Sequence, residues 1–337
     1  MGGTFATRDD MSRRSAYRAA SGTSFAHTAD MSSRPREMRT IHESVDPKRL
    51  NTLGEKIREC LDSPEHPTTL PVVVGFDETG SMGHAPRLLQ QKLATLKGAT
   101  LRMGLDDAQL CFAAYGDAQN DEVAPCQVGQ FESGLEMEEW LNNLYLEGMG
   151  GGNKGETAGL LFWFLANFSR LDSLTKRGKK GYLILTGDEC PLPKVTRQEI
   201  KRYIDENVQS DVRIEDVVEQ AKKSYNIFFF LVDNGAARQQ GSLKVWSKLL
   251  GQNNVIVVQD LDSISEQIAL LLAQEEAVVD SLDSGVAMLL AEGANPDDAR
   301  AASTALAHRI PSQRVVKATS SGTLPIPTAS GGVVERL

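Results

Sequence analysis

The chain has 337 residues, of which 41% are hydrophobic, so it is long and apolar enough to bury a substantial core. Its formal net charge of −9 and its isoelectric point near 5.2 argue against a general surface for nucleic acid or an anionic membrane, because both require clustered Lys and Arg. No apolar run approaches the ~20 residues of a membrane helix, and the arginines near the amino terminus are not followed by the apolar core of a secretory signal. The four cysteines form no Cys-x-x-Cys pair. We therefore expect a cytoplasmic protein with reduced thiols and neither nucleic acid nor membrane as a partner.

The two ends of the chain have the composition of flexible tails. Residues 1–38 are rich in Ser, Arg, Ala and Thr, and residues 310–337 contain repeated Pro and Gly. Residues 39–70 are predicted to form a leading helix and a linker. The helix is expected between residues 46 and 61, because apolar residues recur there at a spacing of three or four: Leu50, Leu53, Ile57 and Leu61.

Strands and helices are predicted to alternate from residue 71 to residue 279. Apolar runs rich in β-branched residues indicate six strands, at 71–77, 110–115, 126–131, 181–186, 227–232 and 255–258. Apolar residues at helical spacing indicate helices at 84–103, 135–145, 157–171, 197–206, 214–224, 239–250 and 262–279. This alternation is typical of an α/β fold with a doubly wound, mostly parallel six-stranded sheet flanked by helices. Residues 280–309 are predicted to follow as a helical hairpin that turns at Gly293.

The loop after the first of these strands carries oxygen-bearing side chains at alternating positions. These are Asp77, Thr79 and Ser81, and Gly80 allows the backbone to bend between them. The set offers hard oxygen ligands and no nitrogen or sulfur, which favours Mg²⁺ or Mn²⁺. The loop stands at the carboxyl end of a strand, where open α/β sheets bind their ligands.

Two later loops have related features. Residues 148–155 contain five glycines, but they are not a phosphate-binding loop, because Asn153 and Gly155 stand where Gly and Ser or Thr are required. Asp188 stands just past the strand at 181–186, so a carboxylate again follows a buried strand.

Over roughly residues 70–275, these loops resemble those of von Willebrand factor type A domains, of the intracellular type. The sequence Asp77-x-Thr79-x-Ser81 is similar to the Asp-x-Ser-x-Ser motif of the family's metal-ion-dependent adhesion site. The resemblance implies that Asp77, Thr79, Ser81 and Asp188 hold a divalent ion.

The second loop departs from the family pattern. Where Gly-Gly-Thr is usual, this chain has Asn153 and then Glu156, which is similar to the Gly-Gly-Gly-Asp-x-x-Glu variant of intracellular members. Asn153 offers an amide oxygen and Glu156 a carboxylate, directly or through water, and the sequence leaves open which of them is the ligand.

The resemblance implies an adaptor or assembly factor with no enzymatic activity of its own. An ion held by two aspartates and neutral hydroxyls keeps an uncompensated field on its open side, which attracts an acidic residue of a protein partner. Intracellular members of the family often act beside an AAA-type ATPase, so that is the expected class of partner. Direct coordination by Glu156 would close the open position and weaken partner binding.

Two alternatives use the same residues. The sequence Asp77-Glu78-Thr79-Gly80-Ser81 also resembles the phosphorylation motif of cation-pumping ATPases, and residues 186–188 match their Thr-Gly-Asp. Asp77 would then be the nucleophile of a phosphotransfer enzyme. Against this, the chain lacks membrane helices and the acid pair of Gly-Asp-Gly-x-Asn-Asp. In the second alternative the loops are ordinary strand ends, with Asp77 or Ser81 capping the next helix.

Overall fold

The computed structural model describes residue 13 and residues 26–51, 53–120, 122–134, 136–148, 155–232, 235 and 241–311. Among these residues the strands are β1 (Arg58–Cys60), β2 (Leu70–Asp77), β3 (Ala108–Tyr115), β4 (Cys126–Val128), β5 (Ser169–Leu171), β6 (Gly181–Gly187), β7 (Lys194–Val195), β8 (Val212–Arg213), β9 (Tyr225–Val232) and β10 (Val255–Val258). The six predicted strands are therefore present, with small changes at their ends.

The same residues contain twelve α-helices, several of them shorter than predicted. They are α1 (Ala26–Ser33), α2 (Ala85–Leu93), α3 (Leu96–Arg102), α4 (Glu136–Asn142), α5 (Ala158–Phe168), α6 (Asp172–Arg177), α7 (Arg197–Tyr203), α8 (Ile214–Ala221), α9 (Ser242–Leu250), α10 (Ile264–Glu275), α11 (Leu282–Ala291) and α12 (Pro296–Leu306). No helix in the described ranges is long and apolar enough to cross a membrane.

The large sheet has the strand order β10-β9-β6-β2-β3-β4, and all its neighbours are parallel except β3 and β4. Counted in chain order within this sheet, the order is 6-5-4-1-2-3, which is a doubly wound arrangement. The chain leaves β2 towards β3 on one side and later places β6 on the other. The carboxyl ends of β2 and β6 therefore form the topological switch point, where open α/β sheets bind ligands.

Both faces of the sheet are covered by helices, which confirms the predicted fold class. Along β2, Val72, Val74 and Phe76 pack into one apolar layer, and Val73 points into the other. Residues of α2, α3, α4, α10, α11 and α12 belong to the first layer, and residues of α5, α7, α8 and α9 to the second. Burial on both faces explains why β2 is apolar at nearly every position.

The helix predicted between residues 46 and 61 is wrong. The described residues there form turns followed by β1, which pairs with β5. The Asp46 carboxylate accepts a hydrogen bond from Lys48 N–H, and the Asn51 side-chain oxygen accepts from the N–H groups of Leu53 and Glu55. Such local bonds compete with the helical hydrogen-bond pattern. Leu53 is 72% exposed, so the apolar spacing does not mark a buried face.

The predicted flexible tail extends too far into the chain. Residues 26–38 contain α1, and the Thr28 hydroxyl both donates to the Leu144 carbonyl and accepts from Leu146 N–H. Met31 is buried against Ala124 and Tyr145. This part of the predicted tail therefore docks on the domain, whereas residues 312–337 lie outside the described residues.

Two predicted helices are interrupted. The helix expected over 84–103 divides into α2 and α3 around Thr95, whose hydroxyl bonds back to the Lys92 carbonyl. The helix expected over 157–171 ends at Phe168, because residues 169–171 extend to form β5. The pairing of β5 with β1, more than 100 residues earlier, is a tertiary contact that no helical periodicity predicts.

The C-terminal helical hairpin is confirmed and belongs to the main core. Gly293 turns it with φ at +81°, and α12 is capped at its N-terminus by Asn295, whose side-chain oxygen accepts from Asp297 N–H. Leu289 of α11 and Leu306 of α12 are fully buried in the same apolar layer as β2. The hairpin therefore extends the helical layer on one face of the sheet.

Ala277→Gly is expected to stabilise the protein by about 0.5–1 kcal/mol. Ala277 is exposed just after α10 and has φ at +56°, a left-handed conformation that strains any residue with a Cβ. Urea unfolding of the variant checks this value. Ala287→Gly, at an exposed position in the middle of α11, is the matched control and is expected to destabilise. A destabilised Ala277→Gly variant would contradict the prediction.

Candidate functional site

The Asp77 loop is folded by its own side chains. Oδ1 of Asp77 accepts from Thr79 N–H at 2.8 Å and from the Thr79 hydroxyl at 2.6 Å, and the Thr79 hydroxyl lies 3.2 Å from that of Ser81. A 3₁₀ turn over Gly80–Met82 leads into α2, and the residue before this helix, His84, makes no side-chain cap. The Asp77 carboxylate therefore bonds within its own loop, to Thr79.

Asp188 joins this loop from the neighbouring strand. β2 and β6 pair in parallel with Phe76 opposite Thr186, which brings the residues after both strands to the same edge of the sheet. The Ser81 hydroxyl donates to Oδ1 of Asp188 at 3.0 Å. The structure therefore brings together Asp77, Thr79, Ser81 and Asp188, as the sequence predicted.

Gly187 makes this close approach possible. A Cβ on Gly187 would lie 2.5 Å from the Tyr115 hydroxyl and 3.2 Å from Cβ of Asp77. The Tyr115 hydroxyl in turn donates to the Thr186 carbonyl at 3.1 Å. Only glycine therefore fits between the two aspartate-bearing loops without moving one of them.

The second loop contributes Glu156 to the same region, whereas Asn153 lies outside the described residues. Glu156 is 3% exposed, and its backbone is tied to the loop after Asp188 by bonds to the Cys190 carbonyl and the Leu192 N–H. Its Oε2 is buried without a hydrogen-bond partner. The neighbouring Thr157 is used structurally, because its hydroxyl donates to the Gly116 carbonyl and accepts from Ala118 N–H.

Burial and mutual repulsion raise the pKa values of these acids. Burial, followed by the nearby charge of Asp188, raises the pKa of Asp77 well above its usual range. Burial, followed by the charge of Asp77, raises the pKa of Glu156 to about 10. Carboxylates this close are difficult to ionise together unless a cation lies between them.

The oxygens of the site fit a small divalent ion. Successive oxygens of Asp77, Thr79, Ser81 and Asp188 are 2.6–3.2 Å apart, and ligands in octahedral geometry at about 2.1 Å from Mg²⁺ are themselves about 3 Å apart. Oδ2 of Asp77 is buried without a hydrogen-bond partner. In the described part of the chain, no three His, Cys, Asp or Glu side chains form a group that could hold a metal ion, so hydroxyls would have to complete any such site.

Among the described residues, the exposed surface next to these oxygens is the start of α2. Asp77 and Thr79 are each 1% exposed and Asp188 is fully buried, whereas Ser81 is partly exposed. Gly80, Gly83 and His84 are exposed around Ser81, and Arg87 is exposed one turn further along α2. Within the described ranges, a ligand would therefore approach across the start of α2.

A second group of buried carboxyls, which we call the Glu78 cluster, was not predicted from the sequence. It consists of Glu78, Glu122 and Glu147, and one oxygen of each is buried without a hydrogen-bond partner. Oε2 of Glu78 accepts from Glu147 N–H, and Oε2 of Glu147 accepts from Val123 N–H. A Cβ on Gly116 would lie 2.0 Å from Oε2 of Glu122 and 3.0 Å from Oε1 of Glu78, so glycine makes room for both carboxyls. In the sequence, the one sign of this cluster is that Glu78 stands next to Asp77.

The Glu78 cluster is expected to make the stability of the protein depend on pH. Burial raises the pKa of Glu122 to about 8, so the folded state favours the protonated carboxyl. In buffer with a chelator, the free energy of unfolding is expected to fall by a few kcal/mol as the pH rises from about 5 to about 8. Urea unfolding at both pH values measures this change, which should be smaller in Glu122→Gln and unaltered in the exposed control Glu206→Gln. Equal pH dependence in wild type and Glu122→Gln would contradict the prediction.

Comparisons with known proteins give similarity at the level of solved structures. No protein-family model and no curated protein matches the chain. The pilus adhesin SpaC from Lactobacillus rhamnosus GG, in its open conformation, is 10% identical with a TM-score of 0.42, over 67% of this chain and 31% of SpaC. The vWF domain of the type V pili tip protein Mfa5 from Porphyromonas gingivalis is 11% identical with a TM-score of 0.38, over 63% of this chain and 96% of that domain. This chain thus matches about a third of SpaC, and similarities at this level do not assign it to a family.

Proposed function

We propose that the chain is a protein-binding module of the von Willebrand factor type A kind, in which a divalent ion links the Asp77 site to an acidic residue of a partner. The observation that carries this proposal is the row of oxygens from Asp77 through Thr79 and Ser81 to Asp188, with Oδ2 of Asp77 buried and without a partner. These four residues would hold Mg²⁺ or Mn²⁺, and the bound ion would supply positive charge for an incoming carboxylate.

The chain's own groups determine how a partner binds. Because only Ser81 is partly exposed, the partner's carboxylate reaches the site across the exposed residues around Gly80 and His84. The protonation state of the Glu156 carboxyl sets the charge of the site. An ionised Glu156 would compete with the partner's carboxylate for the ion, whereas a protonated Glu156 would not. We propose Glu156 rather than Asn153 as the second-loop acid, because its carboxyl is buried close enough to interact electrostatically with Asp77.

The partner class and location are part of the proposal. The family resemblance supports a protein partner, with an AAA-type ATPase as the first class to test, and an adaptor or assembly role without catalysis at the Asp77 site. None of the four cysteines, all of which are described, forms a disulfide, and three of them are buried, which supports a cytoplasmic location.

A binding assay with acidic peptides tests the proposal. Immobilised wild-type protein is expected to retain Asp- or Glu-containing peptides in Mg²⁺ or Mn²⁺ and to release them when a chelator is added. Amidated versions of the same peptides, which lack the carboxylates, are the control and should not bind. Equal retention with and without the ion would refute the metal bridge. Phosphate release from a generic phosphatase substrate, lost in Asp77→Ala, would instead support the aspartyl-phosphate enzyme.

A further inference from the structure

A Ser, a His and an Asp meet at the end of the sheet opposite to the Asp77 site. His66 lies shortly before β2, Asp107 immediately precedes β3, and Ser133 lies after β4, next to a bridge between Leu110 and Glu132. His66 and Ser133 line a cavity of about 360 Å³. The eight residues of β2 separate this cavity from Asp77 by roughly 25 Å. The two sites can therefore act independently.

The three side chains are arranged as they are where a histidine and an aspartate activate a serine hydroxyl. The Ser133 hydroxyl is 2.8 Å from Nε2 of His66, and Nδ1 of His66 is 3.4 Å from Oδ1 of Asp107. At 3.4 Å, Nδ1 of His66 lies near the Asp107 carboxylate but does not form an aligned hydrogen bond with it. Hydrogen bonds between catalytic groups are often this long before substrate binds. The carboxylate favours the proton on Nδ1, which leaves Nε2 to accept the serine proton.

The surrounding chain fixes these groups. His66 is 6% exposed, and its backbone is held in a turn by reciprocal N–H to carbonyl bonds with Ser63. The Thr68 hydroxyl donates to the other carboxylate oxygen of Asp107, and Leu70 N–H donates to the Asp107 carbonyl. Asp107 is thus oriented from the same segment that carries His66.

We propose that Ser133 is a nucleophile for acyl transfer, that His66 is its general base and that Asp107 positions the imidazole. In this reaction two glutamine side chains that line the cavity, Gln109 and Gln130, would supply the donors for the developing oxyanion. The Gln109 oxygen accepts from Cys60, and the Gln130 oxygen accepts from Glu59 N–H, so the amide groups of both remain to donate.

The charges in the cavity wall select the substrate class. Glu59 is paired with Arg170, and Asp62 is paired with Arg177 and with Lys176, which also pairs with Asp172. Burial raises the pKa of Glu132 to about 7. At neutral pH the wall is therefore neutral to negative. It fits a small ester that is uncharged or carries an amine, and it repels one that carries a carboxylate.

The reaction is balanced with water as the only other reactant. The Ser133 oxygen bonds to the ester carbonyl carbon as its proton moves to His66 Nε2. The carbon–oxygen bond to the alcohol then breaks, and the leaving alcohol takes that proton. Water, deprotonated by His66, hydrolyses the acyl-serine to release the acid and regenerate Ser133.

A fluorophosphonate probe tests the nucleophile directly. Wild-type protein is expected to gain the mass of one phosphonyl group, located on Ser133 by peptide mass spectrometry. Ser133→Ala should lose the label completely, whereas Ser303→Ala, a control at another partly exposed serine, should keep it. Asp77→Ala should also keep it, which separates this site from the metal site. An unlabelled wild type, or a labelled Ser133→Ala variant, would overturn the proposal.

Ester hydrolysis tests the other two residues and the substrate class. With 4-nitrophenyl acetate, His66→Gln is expected to lower the rate about 100-fold or more. Asp107→Asn should change the pH profile of the rate as well as its value, which a purely structural role would not do. An amine-bearing ester should react about tenfold faster than its carboxylate-bearing counterpart. Wild-type rates in His66→Gln, with circular dichroism showing both proteins folded, would overturn the role of the base.

Discussion

Asp77→Ala is expected to lower the affinity for Mg²⁺ or Mn²⁺ at least 100-fold, measured by calorimetric titration of metal-free protein. The reason is that Asp77 provides the buried oxygen without a partner and also orients Thr79, so the variant loses one ligand and the position of another. Asp77→Asn is the milder test. Its amide oxygen still accepts both Thr79 bonds, but it brings no negative charge, so the fold should persist while the ion is lost.

Asp260→Asn is the matched control for this experiment. Asp260 follows β10 at the same edge of the sheet, and its Oδ1 accepts from the N–H two residues later at 2.9 Å, as in the Asp77 loop. Metal binding in this variant should equal that of wild type. Saturable binding retained in Asp77→Ala would show that the ion is held elsewhere. Loss of binding in both variants would show that the assay does not report on the Asp77 site.

Arg309→Ala is expected to destabilise the protein by about 3–5 kcal/mol, measured by urea unfolding. Arg309 donates to the Glu275 carboxylate at 2.7 Å and to the Asn253 carbonyl at 2.9 Å, and the two ion-paired side chains are only 1% and 3% exposed. Its guanidinium also lies 5.0 Å from the centre of the Phe228 ring. Removing it leaves the Glu275 carboxylate buried without its cation, and it loosens the end of the helical hairpin from the sheet.

A double variant distinguishes the buried charge from simple loss of packing. Arg309→Met combined with Glu275→Leu removes both charges at similar volume and should recover most of the lost stability. Arg300→Ala breaks an ion pair with Asp297 whose side chains are 71% and 88% exposed, and it should change stability by less than about 1 kcal/mol. A double variant as unstable as Arg309→Ala would show that packing, not charge, holds the hairpin.

The oxygen ligands of the first loop could be predicted because their spacing is local. A buried strand that ends in Asp77, Thr79 and Ser81 has its side chains on one side of a tight turn, and the structure shows the turn closed by those same side chains. Asp188 could be predicted as a partner because β6 was recognised as a buried strand and parallel strands end at the same edge.

Helical spacing alone misled where side chains bond to the local backbone. Residues 46–61 repeat leucine and isoleucine as an amphipathic helix would, yet Asp46 and Asn51 turn the chain by accepting backbone N–H bonds. Such bonds compete with a helix at short range, and the pairing of β1 with β5 then fixes the extended conformation. The spacing of apolar residues shows which way they would point if the segment were a helix. It does not show which conformation satisfies the hydrogen bonds of the backbone.

The sequence by itself determined the doubly wound class, the six strands of the large sheet and the oxygen set of its first loop, because each depends on neighbouring residues. Only the tertiary structure decided which distant groups meet. Glu78, Glu122 and Glu147 come from three separate segments, and so do His66, Asp107 and Ser133. The order of the strands and the packing of the chain determine which of these side chains come together. Neither can be read from the spacing of residues within one segment.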